Sequence, residues 1–303
     1  MKKKKKTIHR KLLVSKKETF RHVYFLLAIV IFGFLVVQFI NKYSAQKNNS
    51  TIFTFDEYSR GGGIFNRRLW KILKKTGDSN LVPVVFSGSR KTKKIALTFD
   101  ADMTYSMRQN IISRVSKGAY DRRITYILQK TNTQATLFLT GLWIENYPED
   151  AKILAKNPLF ELANHSYSHP AFYGYCYGLS QIAKDGARKE IRLTQKLLKS
   201  VAGVEGIFFR FPGGCYSQKD VNVAESEGLV VVAWDVVGGD GFNYNAESIK
   251  RNVIDKTTNG SIIVLHMNGA PNAPRTADTL FEIIEQLKNK GFEFVKLSEL
   301  LEF

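Results

Sequence analysis

From residue 93 onward the chain alternates short apolar runs with stretches in which apolar residues recur three or four positions apart. The runs are IALTFD (95–100), ATLFLTG (135–141), LFELANH (159–165), GIFFRFP (206–212), LVVVAWDV (229–236), SIIVLH (261–266) and FEFVKL (292–297). Their length and nearly unbroken apolarity suit strands buried on both faces. The stretches 179–201 and 276–290 carry the 3.6-residue period of helices packed along one side. Seven strands alternating with helices predict an α/β fold built on a parallel sheet, a distorted parallel (β/α) barrel, with an open doubly wound sheet as the alternative.

In such barrels the loops that converge at the C-terminal strand ends hold the chemistry. Polar residues fall there. Asp100 ends the first run, His165 the third, Arg210 stands near the end of the fourth, Asp235 and Asp240 follow the fifth, and His266 ends the sixth. Five runs thus deliver ionisable groups to one end, which packing alone has no reason to do.

The N-terminal part differs. Residues 23–40 are apolar except for Gln38, and 18 residues at 1.5 Å each span about 27 Å, close to a bilayer's hydrocarbon thickness. Ahead of them lie ten Lys and Arg against Glu18 alone. By the positive-inside rule this predicts one transmembrane helix with residues 1–22 as a cytoplasmic tail, and a plasma-membrane protein whose bulk is extracytoplasmic. A cleaved signal peptide is disfavoured, because Tyr43, Ser44 and Ala45 make a poor cleavage site. A buried core helix is disfavoured too, since the segment has no polar face. Residues 41–92, with a glycine run at 61–63 and the basic stretch NRRLWKILKK, read as a membrane-proximal stem ahead of a catalytic domain over 93–303.

The formal charge is +18, half of it in the tail. Export removes nucleic acid as a partner and leaves an anionic envelope or a merely solvated basic surface. Oligomeric state is not indicated. Two cysteines, Cys176 and Cys215, are too few for a disulfide scaffold and lack zinc-ribbon spacing, so one disulfide and two free thiols are both open.

Of the five histidines, His9 and His22 precede the apolar segment and the other three stand at strand ends of one face. His165 and His169 are four apart, which on a helical turn puts both imidazoles on one side, a donor set suited to zinc. A catalytic zinc takes a third protein ligand, commonly a carboxylate. TFDAD (98–102) can supply it. In extended chain Asp100 and Asp102 share a side while Ala101 faces away. One acid can then bind metal while the other takes a proton from water, against the bland reading of helix caps or strand ends.

Five ordered motifs in residues 93–303 resemble those of the polysaccharide deacetylases. TFDAD resembles T-F-D-D, HSYSH is similar to H-[ST]-x-x-H, RFPGG to R-x-P-[YF]-G, WDVVGGDG to W-D-V-x-x-x-D-W, and IIVLH to L-x-H. The resemblance implies Asp100 as general base, His165 and His169 as metal ligands with Asp102 the third, Arg210 orienting the base, and His266 as general acid supported by Asp240. It further implies a backbone N–H of the Pro212-Gly213-Gly214 turn at the oxyanion, with Gly213, Gly214, Trp234 and Val264 against the substrate. The activity implied is zinc-dependent removal of N-acetyl groups from an N-acetylhexosamine polymer such as peptidoglycan. An O-acetyl-polysaccharide esterase and an inactive glycan-binding protein are the alternatives.

The sequence departs from the family pattern at Ala101, where the metal-binding Asp usually stands, at Gly213 and Gly241, where aromatics are common, and at Val264 in place of Leu. The stretch AFYGYCYGLS (171–180) offers Phe172, Tyr173, Tyr175 and Tyr177 either as a platform for sugar rings or as inward loop anchors. With Cys176 in this loop and Cys215 after the turn, a disulfide pinning the rim is one reading.

Overall fold

The computed structural model describes residues 84–303. Segment 23–40 and most of the expected stem lie outside the described residues; among those described, no helix is long and apolar enough to cross a membrane. Strands β1 (Lys94–Ala101), β2 (Ala135–Leu139), β3 (Phe160–Asn164), β4 (Phe208–Phe209), β5 (Val230–Val231), β6 (Val236–Val237), β7 (Ile262–His266) and β8 (Glu293–Phe294) form one sheet. Its order is β5-β4-β3-β2-β1-β7-β6, with β8 paired to the start of β1 and every ladder parallel.

The fifth apolar run supplies both edges of this path. Residue 230 pairs with β4 and, six positions on, Val236 pairs with β7. The stretch 230–237 therefore carries the wall across from one edge to the other, and the seven runs correspond to the seven staves expected, with this one kinked. No ladder joins β5 directly to β6 among the described residues. Residues 84–88, in the expected stem, pack here: Val85 bridges Val232, Ser87 bridges Ser261, and both are buried.

Period-two alternation sorts β1 into two faces. Ile95, Leu97, Phe99 and Ala101 face the helical layer with Leu137, Ile263 and Leu265, whereas Ala96 joins Phe138, Ala163, Phe208 and Ile262 inside. Thr98 and Asp100 share the inner face, because both touch Arg210 there. Ala101 is thus a core residue under the helices, and a second acid on the inner side has to come at 102.

The helices that matter for the site are few. Thr140 caps the helix Gly141–Asn146 (α1 here) through Trp143 N–H and donates its hydroxyl to Ala101 O at 3.0 Å, fixing the end of β1. Helix α2 (Ala187–Leu197) brings Glu190 under the loop after β3, and α3 (Thr276–Asn289) opens with Thr276 beside Asp240.

Candidate active site

Strand register builds the centre. Asp100 and His266 are Cα partners on β1 and β7, and Arg210 N–H bonds Asn164 O, which sets Arg210 beside the residue preceding His165. Asp102 Oδ1 stands 3.4 Å from His165 Nε2 and 3.2 Å from His169 Nε2. The two imidazoles are 5.0 Å apart. His165 Nδ1 lies 2.9 Å from Arg210 O, an atom that only accepts, so Nδ1 carries the proton and Nε2 presents a lone pair. Asp102 Oδ1 and His165 Nε2 are buried with no hydrogen-bond partner.

Lone pairs facing one another in a buried space repel unless a cation or proton lies between them. Ligand atoms from Asp102, His165 and His169 all lie within 4.8 Å of one another, so the donor set fits a divalent ion. Burial alone would raise the pKa of Asp102, but the neighbouring His169, with His266 behind it, outweighs burial and holds the carboxyl well below the ordinary range. The group is therefore anionic at neutral pH, as a ligand must be.

The histidine motif is not the helical turn expected. Ser166 and His169 have φ of 66° and 59°, a left-handed backbone that costs non-glycine residues energy. Hydrogen bonds offset that strain: Glu190 accepts from the N–H groups of Tyr167 and Ser168 at 2.8 Å each and from Ser168 Oγ at 2.9 Å. Asn164 Oδ1 accepts from Ser166 N–H, and Ser166 Oγ from His169 N–H.

Asp100 sits one strand-step below. Its Oδ1 is 2.7 Å from Arg210 Nη1, and its Oδ2 is 3.6 Å from His165 Nε2. Arg210 is wholly buried across the barrel, donating also to Thr98 Oγ1, Ala233 O and Val232 O, with its guanidinium 4.0 Å from the centre of the Phe138 ring and 5.5 Å from that of Trp234. Burial lowers its pKa, and Asp100 opposes that shift.

His266 faces the cluster from the other side. Nδ1 is 2.8 Å from Asp240 Oδ1, leaving Nε2 toward the opening, 3.9 Å from Asp102 Oδ2. Asp240 is buried and also accepts from His266 N–H and Thr276 Oγ1. Burial would lower the imidazole pKa, but the charge and hydrogen bond of Asp240, with Asp102 and Asp100 behind, push it up to about 10. Asp240 moves the opposite way: burial alone would raise its pKa, and His266 and Thr276 lower it.

In the Pro212–Gly214 turn, Gly214 N–H bonds Phe211 O and Cys215 N–H bonds Pro212 O, so Gly213 keeps the backbone donor that the turn does not consume. Trp234 lies against Gly214, where a Cβ would come within 2.8 Å of its ring. Val264 is a buried wall residue paired with Thr98. Beside His266 the Gly241 position is open, with a Cβ there 3.9 Å from the imidazole.

Other expectations need correction. Asp235 binds Ile262 N–H, Ser261 Oγ and Arg90 at the start of β7, so it belongs to the opposite end from His266. Phe172 is a buried anchor against Phe209 and Phe211, whereas Tyr173, Tyr175 and Tyr177 are exposed. Of the two readings left open for the cysteines, the disulfide holds: Cys176 and Cys215 are joined. Sequence reasoning missed Asn268, Glu190, Thr98 and Thr276. Asn268 and Thr98 had a signal, each standing two positions from a site residue, His266 and Asp100 respectively, on the same alternating face.

Residues 87–232 match the polysaccharide deacetylase family model. A peptidoglycan-N-acetylglucosamine deacetylase of Bacillus cereus is 30% identical over 217 residues, covering 72% of this chain and 71% of that protein. The chain belongs to the polysaccharide deacetylase family. The enzyme class expected from its motifs is borne out. Among solved structures, the Bc1960 peptidoglycan N-acetylglucosamine deacetylase shares 29% identity at a TM-score of 0.60, covering 72% of this chain and 92% of that one. The peptidoglycan-N-acetylglucosamine deacetylase of Listeria monocytogenes 10403S is 28% identical over 70% of this chain, which spans 40% of that longer protein. BA3943 of Bacillus anthracis, a pseudoenzyme of the same family, shares the fold at 22% identity and a TM-score of 0.59, covering 73% of this chain and 69% of that one. Fold alone therefore does not decide activity; the residues in the centre do.

Proposed function

We propose that this chain is a membrane-anchored, metal-dependent hydrolase that removes N-acetyl groups from N-acetylglucosamine units of an envelope polymer, peptidoglycan first among them. The carrying observation is the convergence of Asp102, His165 and His169, with Asp100–Arg210 on one side and His266–Asp240 on the other. The apolar segment 23–40 behind its basic tail supports a plasma-membrane anchor with the catalytic domain outside. The relatives' substrates support an N-acetylated polymer over an acetyl ester.

Asp102, His165 and His169 would hold the ion, zinc by its donor set. When bound, such an ion polarises the acetyl carbonyl and lowers the pKa of water toward ~7. The chain's own groups do the rest. Asp100, aimed by the Arg210 guanidinium 2.7 Å away, takes the proton of the attacking water as its oxygen bonds the acetyl carbon. The Gly213 N–H donates to the oxygen on which charge develops. His266, protonated at neutral pH through Asp240, gives a proton to the leaving nitrogen as the C–N bond breaks, so acetate and a free amine result. Retention of both a base and an acid disfavours a purely glycan-binding role.

The test takes the full-length chain purified in mild detergent, strips metal with a chelator, restores zinc and assays acetate from peptidoglycan, chito-oligomers and acetylated xylan. Zinc-dependent acetate from the first two supports the reading. Acetate from xylan alone would replace amide by ester, and none from any of the three would refute catalysis.

A further inference from the structure

The space above Gly213 is filled from another part of the chain. Gly213 has φ of 60°, and a Cβ there would meet Cys176 Sγ at 2.6 Å and Tyr177 Cδ2 at 3.1 Å. Cys176 is buried and covalently joined to Cys215, two residues beyond Gly213, while Tyr177 keeps 84% of its surface in solvent. Its ring thus lies beside Gly213, the residue that keeps the turn's uncommitted N–H, and still presents surface outward.

The loop that carries it is tied at several points. Ala171 N–H bonds Ser180 O, Ile182 N–H bonds Ala171 O, and Leu179 N–H bonds Cys176 O. Phe172 is set edge-on between Phe209 and Phe211, with ring centres 5.9 and 4.9 Å away. An exposed aromatic on so fixed a support loses little freedom when it binds, and its face suits the C–H face of a pyranose or an acetyl methyl. A side chain at position 213 could not coexist with this arrangement, which accounts for glycine there.

We propose that the Cys176–Cys215 disulfide holds Tyr177 as an aromatic wall of the sugar-binding cleft beside Gly213, making Tyr177 a specificity-determining residue for N-acetylhexosamine. This rests on the function proposed above.

The experiment measures binding of the N-acetylglucosamine tetramer to the metal-free full-length chain by intrinsic fluorescence, and acetate release from the tetramer by the zinc-loaded chain. The variants are Tyr177→Ala, Tyr177→Phe, the pair Cys176→Ser/Cys215→Ser, and Tyr126→Ala as an exposed control on the helix Arg122–Lys130. Tyr177→Ala and the serine pair should each weaken tetramer binding about three- to tenfold and raise KM similarly, with kcat and zinc content near wild type. Tyr177→Phe and Tyr126→Ala should match wild type. If wild type turns over the tetramer and Tyr177→Ala binds it within twofold of wild type, this inference falls and the proposed function stands. If wild type neither binds nor deacetylates the tetramer, peptidoglycan turnover tells whether the function survives, and the Tyr177 wall is overturned in either case.

Discussion

Asn268 holds the backbone of Asp102 on both sides: its Nδ2 donates to Asp102 O at 2.6 Å, and its Oδ1 accepts from Asp102 N–H at 3.3 Å. Asp102 stands one position later than the family's usual metal-binding aspartate, past the end of β1, where strand pairing no longer fixes the chain. The buried Asn268 amide replaces that support and also donates to Ala119 O. Asn268→Ala should therefore weaken zinc binding about tenfold or more, as loss of a ligand's supporting partner does, with the fold retained. Competition with a chromogenic chelator checks it; affinity equal to wild type would show that Asp102 needs no such clamp.

Glu190 acts on the other two ligands. Its carboxylate gathers two N–H groups and a hydroxyl of the loop that carries His165 and His169. Glu190→Ala leaves those donors without their partner, at a cost of about 1–3 kcal/mol, and frees the left-handed Ser166 and His169. A lower Tm is expected together with weaker zinc binding, read by thermal melts with and without zinc. Glu190→Gln retains acceptor capacity at one oxygen and should fall between the two.

Much of this was legible. Alternation along IALTFDAD put Asp100 and Asp102 on one side and Ala101 on the other, and the structure buries Ala101 beneath the helices. The kink in the fifth stave was not legible, because unbroken apolarity does not reveal a change of pairing partner. That change also explains Asp235, which ends the apolar run yet meets β7 at its beginning, where it caps Ile262 N–H. The Glu190 clamp left no periodic trace, since it joins a helix to a loop 23 residues away. The disulfide depends on two Cα atoms 6.1 Å apart, a distance that a separation of 39 residues does not encode.

The acid group carries a pH signature. Its folded pKa of about 10 lies above the ordinary histidine value, so the protonated form is favoured by the folded state. The stabilisation is complete below the unfolded value near ~6.5 and is lost as pH rises through the folded one. Asp240, Asp102 and Asp100 are the charges that raise it. Asp240→Asn removes the nearest of them and should move the alkaline limb of kcat/KM to lower pH, with zinc content unchanged. An unmoved limb would assign that limb to another group.

The two acids of TFDAD divide the labour, Asp100 as base and Asp102 as ligand, and zinc content measured beside turnover in two variants separates the roles. Asp100→Asn keeps an oxygen for Arg210 while removing the base, whereas Asp102→Ala removes a ligand. Asp100→Asn should bind zinc at wild-type stoichiometry and lose acetate release by on the order of 10²-fold or more, as expected for a general base, while Asp102→Ala should purify with little zinc and regain none at wild-type affinity. Equal zinc content in the two variants, or Asp100→Asn being the metal-poor one, would contradict that division.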